Sequence, residues 1–145
     1  MKRVDINCDM GESFGAWRIG DDEAMLPLIT SANVACGFDA GDASVMRRTV
    51  RLAAQHRVAV GAHPGLPDLA GFGRRRMGLS PEEPYGVLAS QVGALLAHCR
   101  AAGVVLAHVK PHGALYNMAA ADAPLADAIA TAVHDVDASL LLFGT

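Results

Sequence analysis

Short apolar runs alternate along this chain with longer stretches of helical period. Val4–Asp9, Ala32–Gly37, Val58–His63, Val104–Val109 and Leu140–Phe143 each read as a strand. Helical signals lie between them. Asp42 is placed to cap a helix running to about Gln55, with Val45, Met46, Thr49, Val50 and Ala53 on one face. Ser80-Pro81-Glu82-Glu83 combines an N-cap serine, proline at the first helical position and glutamate at the third. A helix is therefore predicted from there to Ala102, stopped by Gly103, with Pro84 set to tighten or shift its first turn. Asp122 opens a further helix with Leu125, Ile129 and Val133 one turn apart, and a shorter one follows Asp21-Asp22 until Pro27 interrupts it. Strand alternating with helix predicts parallel βαβ units. Pro64–Leu79 breaks the rhythm: it is too long for a simple connection and rich in Gly, Pro and Arg, the character of a functional loop. Neither an internal repeat nor a linker is visible.

Composition narrows the class. The chain of 145 residues is enough for one domain with a buried core. Hydrophobic residues make up 52%, with 27 alanines and only 5% aromatics, which favours close helix-on-sheet packing and excludes a disordered chain. The net charge of −3 gives no electrostatic support for nucleic-acid or membrane binding. No uncharged apolar run reaches the ~18 residues of a membrane span, and no signal-like apolar stretch follows Met1-Lys2-Arg3. Three cysteines, Cys8, Cys36 and Cys99, suit buried thiols in a reducing cytoplasm rather than a disulfide framework. Ten arginines against two lysines draw attention to each lysine.

The candidate chemistry lies at the strand ends. Residues two apart share a face of a strand. Asn7 and Asp9 therefore point together on the first strand, and Asn33 shares a path with Ala35, Gly37 and, beyond the strand, Asp39. His63 stands above Ala59 and Gly61, while His108, Lys110 and, if the strand passes Pro111, His112 share the fourth strand's face. In parallel α/β folds the C-terminal strand ends hold the active site, and the small residues beneath leave room for a cavity. Each residue also has a plainer reading. Asp9 with Gly11 suits a turn, His63 before Pro64 suits a structural histidine, and Arg74-Arg75-Arg76 suits a solvated run as well as a carboxylate or phosphate clamp. His56, His98 and His134 are read as solvated, and Cys36 as a buried thiol. Lys110 between two histidines favours neutral imidazoles and an anion in the pocket. Two chemistries remain open. Asp9, Asp39, His63 and His112 are candidate metal ligands, or Asp9 or Asp39 is a general base with Lys110 and an arginine stabilising an oxyanion or phosphate. No Walker-type phosphate loop is present.

The blocks DINCDMGESFGAW (5–17), GDDEAMLPLITSANVACGF (20–38), AGD (40–42), GAHPGLPDLAGFGRR (61–75) and HVKPHGALYN (108–117) closely resemble the LamB/YcsF family, in order and across almost the whole chain. The resemblance implies ATP-dependent opening of the lactam of 5-oxoproline (pyroglutamate) to L-glutamate, with ATP and Mg2+, by a cytoplasmic bacterial enzyme in which 5-oxoprolinase subunits B and C are partners. It implies a (β/α) barrel of the glycoside hydrolase and deacetylase type, seven-stranded in the family, of which about five βα units are legible here. A single domain over 1–145, truncated at its C-terminus or completed by another copy as a homo-oligomer, is the expectation that follows. Its catalytic candidates are Asp9, His63, Lys110 and His112; its substrate-binding candidates are Asn7, Glu12, Asn33, Asp39, Asp42, Arg74, Arg75, Tyr116 and Asn117. One departure stands out: the family reads G-F-H-A-G-D where this chain reads GFDAGD (37–42), so a carboxylate replaces an imidazole at position 39. The alternatives are a metal-dependent, deacetylase-like hydrolase and a non-catalytic binding or scaffold subunit.

Overall fold

A computed structural model describes residues 4–80 and 82–144. Five strands form one sheet: β1 (Asn7–Met10), β2 (Ser31–Ala35), β3 (Ala59–His63), β4 (Leu106–Val109) and β5 (Leu141–Leu142). Every neighbouring pair is parallel, and the spatial order is the chain order. The helices are α1 (Asp22–Met25), α2 (Ala43–His56), α3 (Glu83–Ala102), α4 (Gly113–Ala119) and α5 (Ala123–Val136). Three-residue 3-10 turns follow α1 at Leu26–Leu28 and occupy Leu69–Gly71. No described helix is long and apolar enough to cross a membrane.

The two faces of the sheet differ in kind. Met10, Val34, Val60, Ala62 and Val109 join Met46, Val50 and Ala53 of α2 and Val92, Leu95 and Cys99 of α3 in one buried apolar cluster. Each large aliphatic side chain buried there stabilises the fold by about 1.5–3 kcal/mol before entropic costs. A second cluster joins Leu66, Leu88 of α3, Leu115 of α4, and Leu125 and Ile129 of α5. The opposite face of the sheet carries the polar residues. Buried Gln91 of α3 clamps the loop after β3 from both sides: it donates to the Gly65 carbonyl (2.8 Å) and accepts from the Gly65 N–H (3.0 Å).

Sequence boundaries shift where long-range pairing decides them. β1 begins at Asn7 rather than Val4 because its ladder partner β2 begins at Ser31. β2 stops at Ala35, since Gly37 adopts φ +95 and its N–H turns back to the Ala40 carbonyl (2.8 Å). β4 begins at Leu106 and β5 keeps two residues, both shorter than the apolar runs suggest. α2 meets its expectation: Asp42 accepts from the Ser44 and Val45 N–H groups, and Val45, Met46, Thr49, Val50 and Ala53 are its buried face. α3 begins at Glu83, with Pro84 in its first turn, rather than at Pro81, which lies outside the described residues. The capping-box contact survives the shift, because the Ser80 N–H donates to Glu83 Oε2 at 2.5 Å. α4 has no counterpart in the sequence pattern.

Candidate active site

Register builds the site. Asp9 pairs with Asn33, Asn33 with Gly61, and Gly61 with His108, so four strands present one row across the polar face. Gly61 has no side chain, and His108 reaches over it to place Nε2 2.7 Å from Asn33 Oδ1. A Cβ at Gly61 would overlap that imidazole. Asn33 is fully buried and central. Its Nδ2 donates to Asp9 Oδ1 (2.7 Å) and Asn7 Oδ1 (2.5 Å), and its Oδ1 accepts from Asn7 Nδ2 (3.0 Å). His108 Nε2 therefore carries its ring proton toward Asn33 Oδ1. Burial pushes the proton affinity of His108 down, and Phe143 stacks on its ring at 4.3 Å.

Past the strand ends the backbone continues the pairing: Lys110 N–H donates to Ala62 O (2.9 Å) and His112 N–H to Pro64 O (2.8 Å). β4 itself ends at Val109, so His112 arrives as the residue capping α4 rather than on a longer strand. Lys110 Nζ lies 2.9 Å from Asp9 Oδ1, and His63 Nε2 lies 3.5 Å from Asp9 Oδ2. Burial works to raise the Asp9 carboxyl, but His63, Asn33 and Lys110 together hold it far below the usual carboxylate range. Asp9 keeps 37% of its side chain exposed and Lys110 31%, so this ion pair is the accessible tip of the network. Behind it, His63 Nδ1 meets the Lys110 carbonyl (2.6 Å), His63 Nε2 meets His112 Nδ1 (2.9 Å), and His112 Nε2 meets the Phe72 carbonyl (2.8 Å).

Asp39 lies behind His112, 1% exposed, with Oδ2 3.6 Å from His112 Nε2 and with Oδ1 lacking any hydrogen-bond partner. It does not continue the β2 path, because the turn at Gly37 redirects the chain. Burial, opposed by His63, pushes its carboxyl up to about 6. Gly65 and Gly73 wall it in: a Cβ at Gly65 would overlap its carboxylate, and one at Gly73 would stand 2.9 Å from its Cβ. Glu12 is half-buried, and burial, followed by the charge of Asp9, raises its proton affinity.

The structure separates the remaining candidates. Arg74 places its guanidinium over the Phe72 ring (5.6 Å), whose edge meets His112. Arg75 instead pairs with Asp68, which also caps the 3-10 turn at Leu69–Gly71. Asp42 is spent on the α2 cap and on the Gly15 N–H (2.9 Å). Tyr116 lines an apolar cavity with Pro111, Ile129 and Phe143, and Asn117 faces solvent; neither meets the Asp9 network. Among the described residues no group of three or more His, Cys, Asp or Glu side chains converges as a metal site. His63 Nδ1 and His112 Nε2 are held by carbonyl oxygens, and His63 Nε2 and His112 Nδ1 converge at 2.9 Å, while Asp39 lies behind His112 rather than beside Asp9. Cys36 is buried and its thiol is pushed up to about 12 by burial, so it is no nucleophile. Gln91 and Phe72 are site residues that the sequence pattern does not single out; Gly61 is read there as room for a cavity, and that room is filled by His108.

Comparison with known proteins places this arrangement. The 5-oxoprolinase A subunit of Geobacillus kaustophilus is 64% identical over 144 residues, covering 99% of this chain and 56% of that protein. Its counterpart in Symbiobacterium thermophilum is 64% identical over 143 residues, covering 99% and 55%. The crystal structure of a lactam utilization protein from Thermus thermophilus superposes with a TM-score of 0.97 at 53% identity, covering 99% of this chain and 58% of that one. The chain thus spans little more than half the length of the relatives it matches. The LamB/YcsF family model matches residues 4–145, and the chain belongs to the LamB/YcsF family.

Proposed function

We propose that this chain carries the lactam-opening site of an ATP-dependent 5-oxoprolinase, acting on 5-oxoproline with subunits B and C. The observation that carries the reading is the Asp9–Lys110 pair, 2.9 Å apart at the accessible end of a buried polar network, in a chain whose relatives are 5-oxoprolinase A subunits. The strand order supports a further step. A parallel sheet wound in chain order, with helices on its apolar face and polar residues on the other, suits the first five units of a (β/α) barrel. The polar row then faces the barrel interior.

A lactam carbonyl resists water because amide resonance lowers its electrophilicity. ATP, when bound, supplies the activation that makes that carbonyl a better electrophile. Asp9 is held ionised and accessible beside Lys110, placed to accept a hydrogen bond from the attacking water and orient it. Lys110 lies beside it to stabilise the oxyanion formed on the former carbonyl oxygen. Arg74, at the rim, is free to hold the substrate carboxylate, and Glu12 retains a proton more readily than Asp9. The test is 5-oxoproline-dependent ATP hydrolysis by the chain with its partner subunits. Lys110→Met is expected to lower turnover by about 10²–10³-fold. Undiminished turnover refutes the assignment.

A further inference from the structure

The chain carries one tryptophan and leaves it outside. Trp17 is 63% exposed, although an indole buried in a core or an interface is among the largest apolar contributions a side chain makes. It stands on a short ribbon after β1. Phe14 and Trp17 exchange backbone hydrogen bonds, 3.1 Å from the Phe14 N–H to the Trp17 carbonyl and 2.9 Å in return. Gly15 opens the two-residue turn between them at φ +54. Three further contacts fix the ribbon. The Gly15 N–H donates to Asp42 Oδ2 (2.9 Å), the Ile19 N–H to Ser13 Oγ (3.1 Å), and the Ser13 hydroxyl to the Ile19 carbonyl (3.3 Å). The Phe14 and Trp17 rings lie 6.2 Å apart at 31°. Arg18, next to the indole, is exposed and takes part in no ion pair among the described residues.

We propose that the Phe14–Trp17 turn is the knob by which this chain docks a partner subunit of the enzyme, with the Trp17 indole entering an apolar cleft whose rim offers a carboxylate to Arg18. The proposal rests on the reading that the chain works with partner subunits. Trp and Arg are enriched among the residues that carry binding energy at interfaces, and an exposed apolar group of this size marks such a surface. A turn already fixed by its own hydrogen bonds loses little freedom on docking.

Place agrees with the role. The turn follows the C-terminal end of β1, the end at which Asp9 stands, so a subunit seated on it lies beside the accessible tip of the polar network. A separate protein suits the turn better than a further strand of the same sheet. Asp42 caps α2, which follows β2, so the Gly15–Asp42 bond draws the turn to the side of β1 that β2 already occupies. A strand continuing the sheet would add at the opposite edge of β1, or at β5.

The single tryptophan makes the test direct. The chain is labelled with 5-fluorotryptophan, and its one ¹⁹F resonance is followed as unlabelled subunits B and C are added, without ATP or 5-oxoproline. The resonance is expected to move to a new position at saturation. In isothermal titration calorimetry of the same mixture, Trp17→Ala is expected to raise Kd by about 30-fold, and Trp17→Phe by less. Arg18→Ala is expected to raise it most at low salt. Leu28→Ala, as exposed as Trp17 but placed before β2 at the other end of the sheet, is expected to leave Kd unchanged. An unmoved resonance in the saturated complex, a Kd indifferent to Trp17→Ala, a shift driven by the chain's own concentration alone, or no association with either subunit overturns the proposal. The functional reading fails separately, when a complex that moves the Trp17 resonance turns over no 5-oxoproline.

Discussion

The two faces of the five-stranded sheet are made by the same strands and obey different rules. On one, Met10, Val34, Val60 and Val109 need only be apolar, shaped to fit, and covered by α2 and α3. On the other, Asp9, Asn33 and His108 are each fixed by a particular partner atom, and Gly61 is fixed by what must pass over it. The first face tolerates exchange of one aliphatic group for another at modest cost. The second does not, because an unpartnered buried polar atom costs about 1–3 kcal/mol. Apolar packing therefore concentrates on one side of the backbone and partner-specific polar contacts on the other, one residue apart in sequence.

Substitutions can break that contrast or sharpen it. The largest effect on stability is expected from Leu95→Ala on the covered face. Its side chain is fully buried, and the truncation is expected to cost about 2–5 kcal/mol in urea unfolding while leaving the NMR signature of the polar face, the ring chemical shifts of His63, His108 and His112, in place. Loss of that signature in folded protein would show the two faces to be coupled.

Next comes pH. The Asp39 carboxyl is raised to about 6 in the folded protein from its ordinary value of 3.8, so folding favours its protonated form. Its contribution to stability is present below about pH 4 and is lost as pH rises through about 6. Asp39→Asn keeps the neutral state at every pH. Its stability relative to the parent chain is expected to rise by on the order of 3 kcal/mol across that window. A difference that does not change with pH would refute the raised, buried carboxyl. The smallest effect is expected at Arg75. Its exposed guanidinium pairs with the buried Asp68 carboxylate, which keeps the Gly71 N–H as a partner, so Arg75→Ala is expected to lower Tm slightly with no loss of turnover. A large loss of turnover would return Arg75 to the site.

Much of this is legible in the chain itself, for physical reasons. The buried face of α2 follows from helical period and an aspartate cap, both local. Asn7, Asp9, Asn33, His63 and Lys110 are legible because strand alternation and the C-terminal ends of parallel strands are general features. What local pattern cannot carry is register. That Asp9, Asn33, Gly61 and His108 form one row depends on how four strands slide against each other, and so does the reach of His108 across Gly61. Strand alternation puts Asp39 and His112 on extended strand paths. Turns at Gly37 and at the start of α4 bring them to the site by another route. Arg74 and Arg75 are indistinguishable in sequence, and only Asp68, seven residues before Arg75, separates them. Gln91 sits in a helix of ordinary amphipathic pattern, and nothing local marks it as the clamp on Gly65.

The central claim is that the polar face does the chemistry and the covered face only supports it. The most direct measurement compares 5-oxoproline-dependent ATP hydrolysis per folded molecule, with partner subunits present, for Asp9→Asn and Leu95→Ala. The account predicts that Asp9→Asn loses about 10²-fold while remaining folded, and that Leu95→Ala, at a temperature where it is folded, stays close to the parent chain. Turnover retained by Asp9→Asn would contradict it.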